Sequence, residues 1–197
     1  YYLHRYAQHY LQWQSPTLIL IAINVMLFGI QTFIPGVTES LILRPYALMQ
    51  PWRFVTALFL HSGIAHLFIN MFVLYMFGSV LEQHIGKKRF LLVYLASGII
   101  ANIIAHPFYA AALGASGATS GIVGVVMMLM PNLPILLYFI IPMKLWVAGV
   151  LFILLDILLA VTGATNIGAI AHLAGVAVGL LFGWHYKKKV RRMTTLS

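Results

Sequence analysis

Apolar residues occur along the chain in six long runs that alternate with short polar, glycine-rich or proline-containing stretches. Most of these runs approach the roughly 20 residues that a helix needs to cross the hydrocarbon core of a bilayer. Their approximate positions are Thr17–Ile34, Ile64–Glu82, Phe90–His106, Ser116–Met130, Leu145–Val161 and Ala169–Trp184. The pattern predicts an all-α membrane protein in which residues 1–197 form a single bundle of six transmembrane helices.

The fourth run is shorter than the others. From Ser116 to Met130 it measures about 22 Å at 1.5 Å per residue, whereas the hydrocarbon core is roughly 30 Å thick. The preceding residues 108–115 carry no charge and can therefore lie below the headgroups. Because non-helical backbone at that depth persists only against protein or a water-filled cavity, we expect Ser116 to begin a helix inside the membrane, at the floor of a hydrated cavity.

Two connections between the runs are long. Residues 36–63 are too polar to span and contain prolines together with Arg44, Trp52 and Arg53, which predicts an interfacial loop at the level of the headgroups, between helices 1 and 2. Residues 132–144 form an apolar connection that carries Pro134 and Pro142.

Composition supports the membrane class and charge gives an orientation. The chain is 62% hydrophobic and 8% charged, against roughly 25% charged in a soluble domain. Of the twelve lysines and arginines, only Arg44 and Arg53 lie on the side opposite the termini in a six-span topology. The positive-inside rule therefore predicts a cytoplasmic N-terminal segment (residues 1–16) and a basic cytoplasmic tail (residues 185–197), in a multi-pass protein of the cell membrane.

The net charge of +9 does not indicate nucleic acid as a partner, because the basic residues flank apolar segments, where anionic lipid headgroups are the expected partner. No cysteine is present, which excludes disulfides and thiolate metal sites. His61, His66, Asn70 and His172 could converge on a metal ion, but no intramembrane carboxylate is spaced to complete a typical zinc site. We expect no metal and no cofactor.

Small residues line one side of two helices. Gly117, Gly121 and Gly124 recur on the fourth, and the sixth carries the series Ala171, Gly175 and Gly179. Such stripes let two helix backbones approach closely in lipid, so we expect these helices to pair. Pairing brings His172, next to Ala171, within reach of Ser116. Tight packing without chemistry is the alternative interpretation of the glycines alone.

Ser116 and His172 form a candidate catalytic pair. A serine hydroxyl is a weak nucleophile unless a base takes its proton, and a neutral imidazole suits that task. A histidine inside a span can equally be a hydrogen-bond partner between helices. His66 and Asn70, four residues apart, can donate hydrogen bonds from one face of the second helix and, with the Ser116 amide, form an oxyanion hole. Their alternative is a polar cluster that ties this helix to the interfacial loop.

These motifs together resemble those of the rhomboid intramembrane serine proteases over about residues 45–184. The matching elements, in the same order, are Trp52-Arg53, His61-Ser-Gly-Ile-Ala-His66-Leu-Phe-Ile-Asn70, Glu82 with Gly86, Gly114-Ala-Ser116-Gly117 and Ala171-His172-Leu-Ala-Gly175. The resemblance implies a six-helix rhomboid-like bundle whose short fourth helix carries the nucleophile. It also implies hydrolysis of peptide bonds in or near transmembrane segments of other membrane proteins, with the lipid bilayer as the other partner.

Carried over by position, Ser116 resembles the family's nucleophile, His172 its general base, and His66, Asn70 and the Ser116 backbone amide its oxyanion hole. Arg53 and Glu82 match positions that hold the interfacial loop, and His61 lies near the site. The glycines of the matching motifs, which have a supporting role, are Gly114, Gly117 and Gly175.

Two positions depart from the pattern. Many members carry an aromatic residue that stacks on the catalytic histidine four residues after the serine, where this chain has Ser120, so the orientation of His172 has to come from elsewhere. Asp156 lies in the fifth span, where a buried hydrogen bond or a place at a water-facing gate is favoured over a role in orienting His172. The rival interpretations are an inactive rhomboid-like protein that binds membrane clients, and a small channel or transporter. The sequence does not indicate an oligomeric state.

Overall fold

The computed structural model describes residues 15–137, 140–162 and 168–194. Most of this part of the chain belongs to six helices: α1 Pro16–Phe33, α2 Ile64–Ile85, α3 Lys87–Ala105, α4 Ser116–Leu129, α5 Leu145–Thr162 and α6 Ala169–Thr194. The predicted all-α bundle is confirmed, and the helix ends agree with the predicted runs to within a few residues, except that α6 continues well past Trp184. Nearly all of the predicted N-terminal segment and the last three residues of the tail lie outside the described residues.

Within the described residues, five helices are long and apolar enough to cross a membrane. The sixth, α4, has 14 residues and begins at Ser116, as the sequence predicts. Helix α4 lies in the middle of the bundle, where most of its side chains are buried against α3 and α6. At its end, the Lys187 ammonium of α6 donates a hydrogen bond to the Met128 carbonyl at 3.3 Å, which complements the helix dipole.

The carboxylate of Glu82, a residue of α2, reaches the start of α1, which corrects the expectation that Glu82 holds the interfacial loop. Its Oε2 accepts hydrogen bonds from the Thr17 amide at 3.0 Å, the Thr17 hydroxyl at 2.7 Å and the Ser15 hydroxyl at 2.7 Å. A carboxylate in this place satisfies the unpaired donors of the first helical turn and complements the helix dipole. The interfacial loop precedes Ile64, at the opposite end of α2 from Glu82.

The interfacial loop, residues 36–63, is ordered by short helical turns and by Arg53. The turns are Val37–Leu41, Pro45–Leu48, Arg53–Thr56 and Ala57–Phe59. The buried Arg53 guanidinium donates to the carbonyls of Glu39 at 2.8 Å and Ile42 at 2.6 Å, and so joins the beginning of the loop to its middle. Leu43 pairs with Ala112 through two backbone hydrogen bonds, which ties the loop to the segment before α4.

A β-hairpin connects α4 to α5, where the sequence indicated only an apolar connection. Strands β1 Pro134–Leu137 and β2 Ile141–Lys144 are antiparallel, with Pro134 opposite Lys144. Short apolar runs do not separate strand from loop by periodicity, and the two prolines argued against a strand. Both prolines lie in a sheet of two edge strands, where the missing N–H is tolerated.

Candidate active site

Helices α4 and α6 touch through their backbones along the two stripes of small residues. A methyl group on Gly175 would overlap the Gly117 carbonyl, and one on Gly179 would overlap the Gly121 carbonyl. The predicted pairing of these helices is therefore confirmed. Since Ser116 and His172 are next to the first residues of the two stripes, the contact holds them at the same end of the helix pair.

Ser116 is the first residue of α4, and its position depends on Gly114. The Gly114 backbone has a φ of +131°, which favours glycine, and its amide donates to the Ala57 carbonyl at 2.9 Å. The first amides of a helix have no partner within the helix, so the Ser116 amide points out of the start of α4. The Ser116 side chain is half-buried.

His66 approaches Ser116 across Gly114. A Cβ atom on Gly114 would lie 2.9 Å from His66 Nε2 and 3.7 Å from Ser116 Oγ. On the other side of the ring, the Ser62 amide donates to Nδ1 at 3.3 Å and the Ser62 hydroxyl lies 3.0 Å from the same nitrogen. Because Nδ1 accepts a hydrogen bond, a neutral imidazole carries its proton on Nε2, the nitrogen that faces Gly114.

Asn70 is buried one helical turn after His66. Its Nδ2 donates to the His66 carbonyl at 2.9 Å. This bond uses one of the two amide hydrogens and fixes the side chain against its own helix, while the second hydrogen stays available to a substrate oxygen. The role of Asn70 in an oxyanion hole stays a prediction.

His172 is held by two side chains of α5. Its Nδ1 lies 3.2 Å from Asp156 Oδ1, and the Phe152 ring stacks on the imidazole with centroids 5.8 Å apart and an interplanar angle of 27°. Phe152 therefore supplies the aromatic contact that Ser120 does not. Asp156 is buried and contacts His172, which agrees with the buried hydrogen bond that the sequence favours for this carboxylate. The spacing of four between Phe152 and Asp156, on one helix face, was the sequence signal for a shared partner.

The Ser116 hydroxyl and His172 share an end of the helix pair without being bonded to each other. Among the hydrogen bonds of the described residues, none joins these two side chains. His66 lies against Gly114, two residues before Ser116, so three polar side chains are found near the start of α4. Such catalytic hydrogen bonds are often long before substrate binds.

His61 packs against His66, and its imidazole is neutral near pH 7. The two rings meet edge to face with centroids 5.1 Å apart, and His61 is 3% exposed. Burial and the neighbouring His66 imidazole lower the pKa of His61 from 6.5 to about 4, against a smaller opposing effect of the Phe59 carbonyl. Gln31 of α1 holds the backbone here, since its Oε1 accepts from the His61 amide at 3.0 Å.

Acid is expected to destabilise the fold through His61. The unfolded chain binds a proton at this residue near pH 6.5 and the folded chain only near pH 4, so stability is lost as the pH falls between these values. Thermal midpoints measured in detergent at pH 7 and pH 4.5 should fall less in His61→Leu than in the wild type. His84→Gln removes an exposed histidine and should keep the wild-type difference, and a His61→Leu chain with that same difference would contradict the prediction.

The described residues contain no group of three or more His, Cys, Asp or Glu side chains that could hold a metal ion.

The residues around the start of α4 provide a hydroxyl, imidazoles, an amide side chain and backbone N–H groups. These groups suit the attack of an oxygen nucleophile on a carbonyl and the stabilisation of the resulting oxyanion.

Comparison with known proteins gives a consistent picture. The family profile described as the Rhomboid domain matches residues 48–189. The chain is 35% identical over 119 residues to rhomboid protease GluP of Bacillus subtilis, and the match covers 55% of this chain and 23% of that protein. It is 32% identical over 157 residues to RHOMBOID-like protein 12, mitochondrial, of Arabidopsis thaliana, with 70% of this chain and 46% of that protein covered.

A third relative is matched over a longer stretch. Rhomboid protein 1, mitochondrial, of Saccharomyces cerevisiae is 31% identical over 189 residues, which are 88% of this chain and 54% of that protein. The chain therefore spans about half the length, or less, of these relatives.

Proposed function

The chain belongs to the rhomboid family of membrane proteins, and on that premise we propose that it is an intramembrane serine endopeptidase that uses Ser116 and His172. Family members named as proteases support a hydrolase. The observation that carries the proposal is the backbone contact between α4 and α6, because it holds Ser116 and His172 at one end of the helix pair, beside His66.

The proposed reaction proceeds through an acyl-enzyme. Ser116 Oγ attacks the carbonyl carbon of the scissile peptide bond while the His172 imidazole takes the hydroxyl proton. The imidazolium then gives this proton to the leaving amine, and a water molecule that His172 deprotonates hydrolyses the ester. The negative oxygen of each tetrahedral intermediate accepts hydrogen bonds from His66 Nε2, Asn70 Nδ2 and the Ser116 amide.

The proposed substrates are transmembrane segments of other proteins within the lipid bilayer. The carbonyls of a helical segment are bonded within the helix, so a segment must unwind before Ser116 reaches one of them. The charge bias supports cytoplasmic termini in a cell membrane. The mitochondrial relatives make an organellar membrane the alternative.

The proposal is tested with the full chain in liposomes, using a serine-directed fluorophosphonate and a model transmembrane substrate. The wild type should cleave the substrate and acquire the label, and mass spectrometry should locate the label on Ser116. Ser120→Ala is the matched control, because it removes a buried serine from the next turn of α4 and should leave labelling intact. A folded wild-type chain that binds the segment without labelling or cleavage would instead support the client-binding interpretation.

Loss of a side-chain donor to the oxyanion should slow turnover without unfolding the protein. We expect Asn70→Ala to lower kcat by about 10²-fold, as is typical when one such donor is removed, with KM nearly unchanged. Asn24→Ala is the control, since Asn24 is also buried and makes the same kind of hydrogen bond, to the Leu20 carbonyl at 2.7 Å. If both variants lose turnover equally, or neither does, Asn70 has no place in the oxyanion hole.

A further inference from the structure

We propose that Asp156 is a positioning residue that completes a Ser116–His172–Asp156 triad. The inference rests on the proposed function and adds a third member to its pair. In this arrangement the Asp156 carboxylate accepts a hydrogen bond from His172 Nδ1–H. Nε2 is then the nitrogen that carries the lone pair and takes the proton of Ser116.

The contact between Asp156 and His172 is short enough for a hydrogen bond and is shielded from solvent. Asp156 Oδ1 and His172 Nδ1 are 3.2 Å apart, and the two side chains are 3% and 14% exposed. Among the described residues this is the only close contact between a basic side chain and a carboxylate. The one group positioned to balance the charge of this carboxylate is therefore the imidazole of the proposed base.

The second oxygen of the Asp156 carboxylate is not satisfied by the fold. Asp156 Oδ2 is buried and has no hydrogen-bond partner among the described residues. A carboxylate in an apolar span is energetically unfavourable, and an oxygen that is left unpaired adds to this cost. Its charge is best compensated when His172 becomes an imidazolium. That cation forms during the reaction, so Asp156 stabilises the transition state more than the resting enzyme.

Helix α5 also restrains the plane of the imidazole. Phe152 stacks on the ring of His172, and Asp156, one turn later on the same helix face, contacts its edge. Stacking alone would allow the His172 ring to turn by 180° about its bond to Cβ, which would exchange the positions of Nδ1 and Cδ2. The hydrogen bond to Nδ1 removes this freedom, so Phe152 and Asp156 together define one orientation.

The first test measures kcat and KM for Asp156→Asn and Asp156→Leu in liposomes. We expect kcat to fall by about 10²- to 10⁴-fold, as in other triads with a wrong tautomer, and KM to stay within about twofold of the wild type. Thr162→Val removes an exposed hydroxyl of the same helix, whose partner among the described residues is the Leu158 carbonyl, and should leave both parameters unchanged. Folded Asp156 variants with kcat within about twofold of the wild type would overturn the proposal.

The second test needs no Asp156 variant, so it holds even if those variants fold poorly. The ¹⁵N spectrum of histidine-labelled wild-type chain, with the His172 signals assigned by comparison with His172→Gln, identifies the protonated ring nitrogen. A neutral ring protonated on Nδ1 supports the triad, and one protonated on Nε2 refutes it. A wild-type chain without protease activity would refute the proposed function, while the tautomer would still decide whether Asp156 orients His172.

Discussion

Ser116→Ala and His172→Ala are each expected to lower kcat by about 10⁴- to 10⁶-fold, and the double variant should be no slower than either single one. A nucleophile and its base act as one unit, so removal of the first abolishes the step that the second assists. The losses should therefore not multiply. The measurement is single-turnover cleavage of a model transmembrane substrate in liposomes, together with the rate of fluorophosphonate labelling.

Labelling separates the two roles. Ser116→Ala should not label at all, because the attacking oxygen is absent, whereas His172→Ala should label slowly, because the oxygen is present without its base. Ser120→Ala controls for the loss of a hydroxyl from α4. If the rate losses of Ser116→Ala and His172→Ala multiply in the double variant, the two residues act independently and the proposed mechanism is wrong.

Features that depend on local pattern could be predicted from the sequence. The six apolar runs, the short α4 that begins at Ser116 and the pairing of α4 with α6 each follow from composition or spacing within one segment. The glycine stripes are the clearest case. Glycine at every third or fourth position predicts a backbone contact between two helices. Gly175 and Gly117 make this contact, since a methyl group on Gly175 would overlap the Gly117 carbonyl.

Features that depend on the relative placement of two helices could not be predicted. The contact between Asp156 and His172 requires that α5 and α6 turn particular faces to each other, and spacing within α5 alone does not determine the rotation of either helix. Glu82 bonds Thr17, which is distant in sequence and lies on another helix. The sequence left the partner of Asp156 open, and the resemblance assigned Glu82 to the interfacial loop, whereas its carboxylate bonds Thr17.

The helix pair should be the most sensitive part of the scaffold to small substitutions. We expect Gly175→Ala and Gly179→Ala each to reduce the free energy of unfolding by about 3 kcal/mol, because the added methyl group meets a backbone carbonyl of α4 and forces the two helices apart. Thermal or denaturant unfolding in detergent measures this loss. Gly175→Ala should also reduce kcat of the folded protein by about 10²-fold, since a shift of roughly 1 Å at this end misplaces His172 relative to Ser116.

Gly29→Ala distinguishes a clash from a general effect of replacing glycine in a membrane helix. Gly29 lies in α1, and apart from its chain neighbours and the backbone of its own helix, no atom of the described residues lies within 4 Å of the position that its Cβ would occupy. Alanine is the better helix former, so this substitution should leave stability unchanged or raise it by about 0.5–1 kcal/mol. If Gly179→Ala were as stable as Gly29→Ala, α4 and α6 would not be in backbone contact. The two helices could then not hold Ser116 and His172 in register, and the proposed site would lose its support.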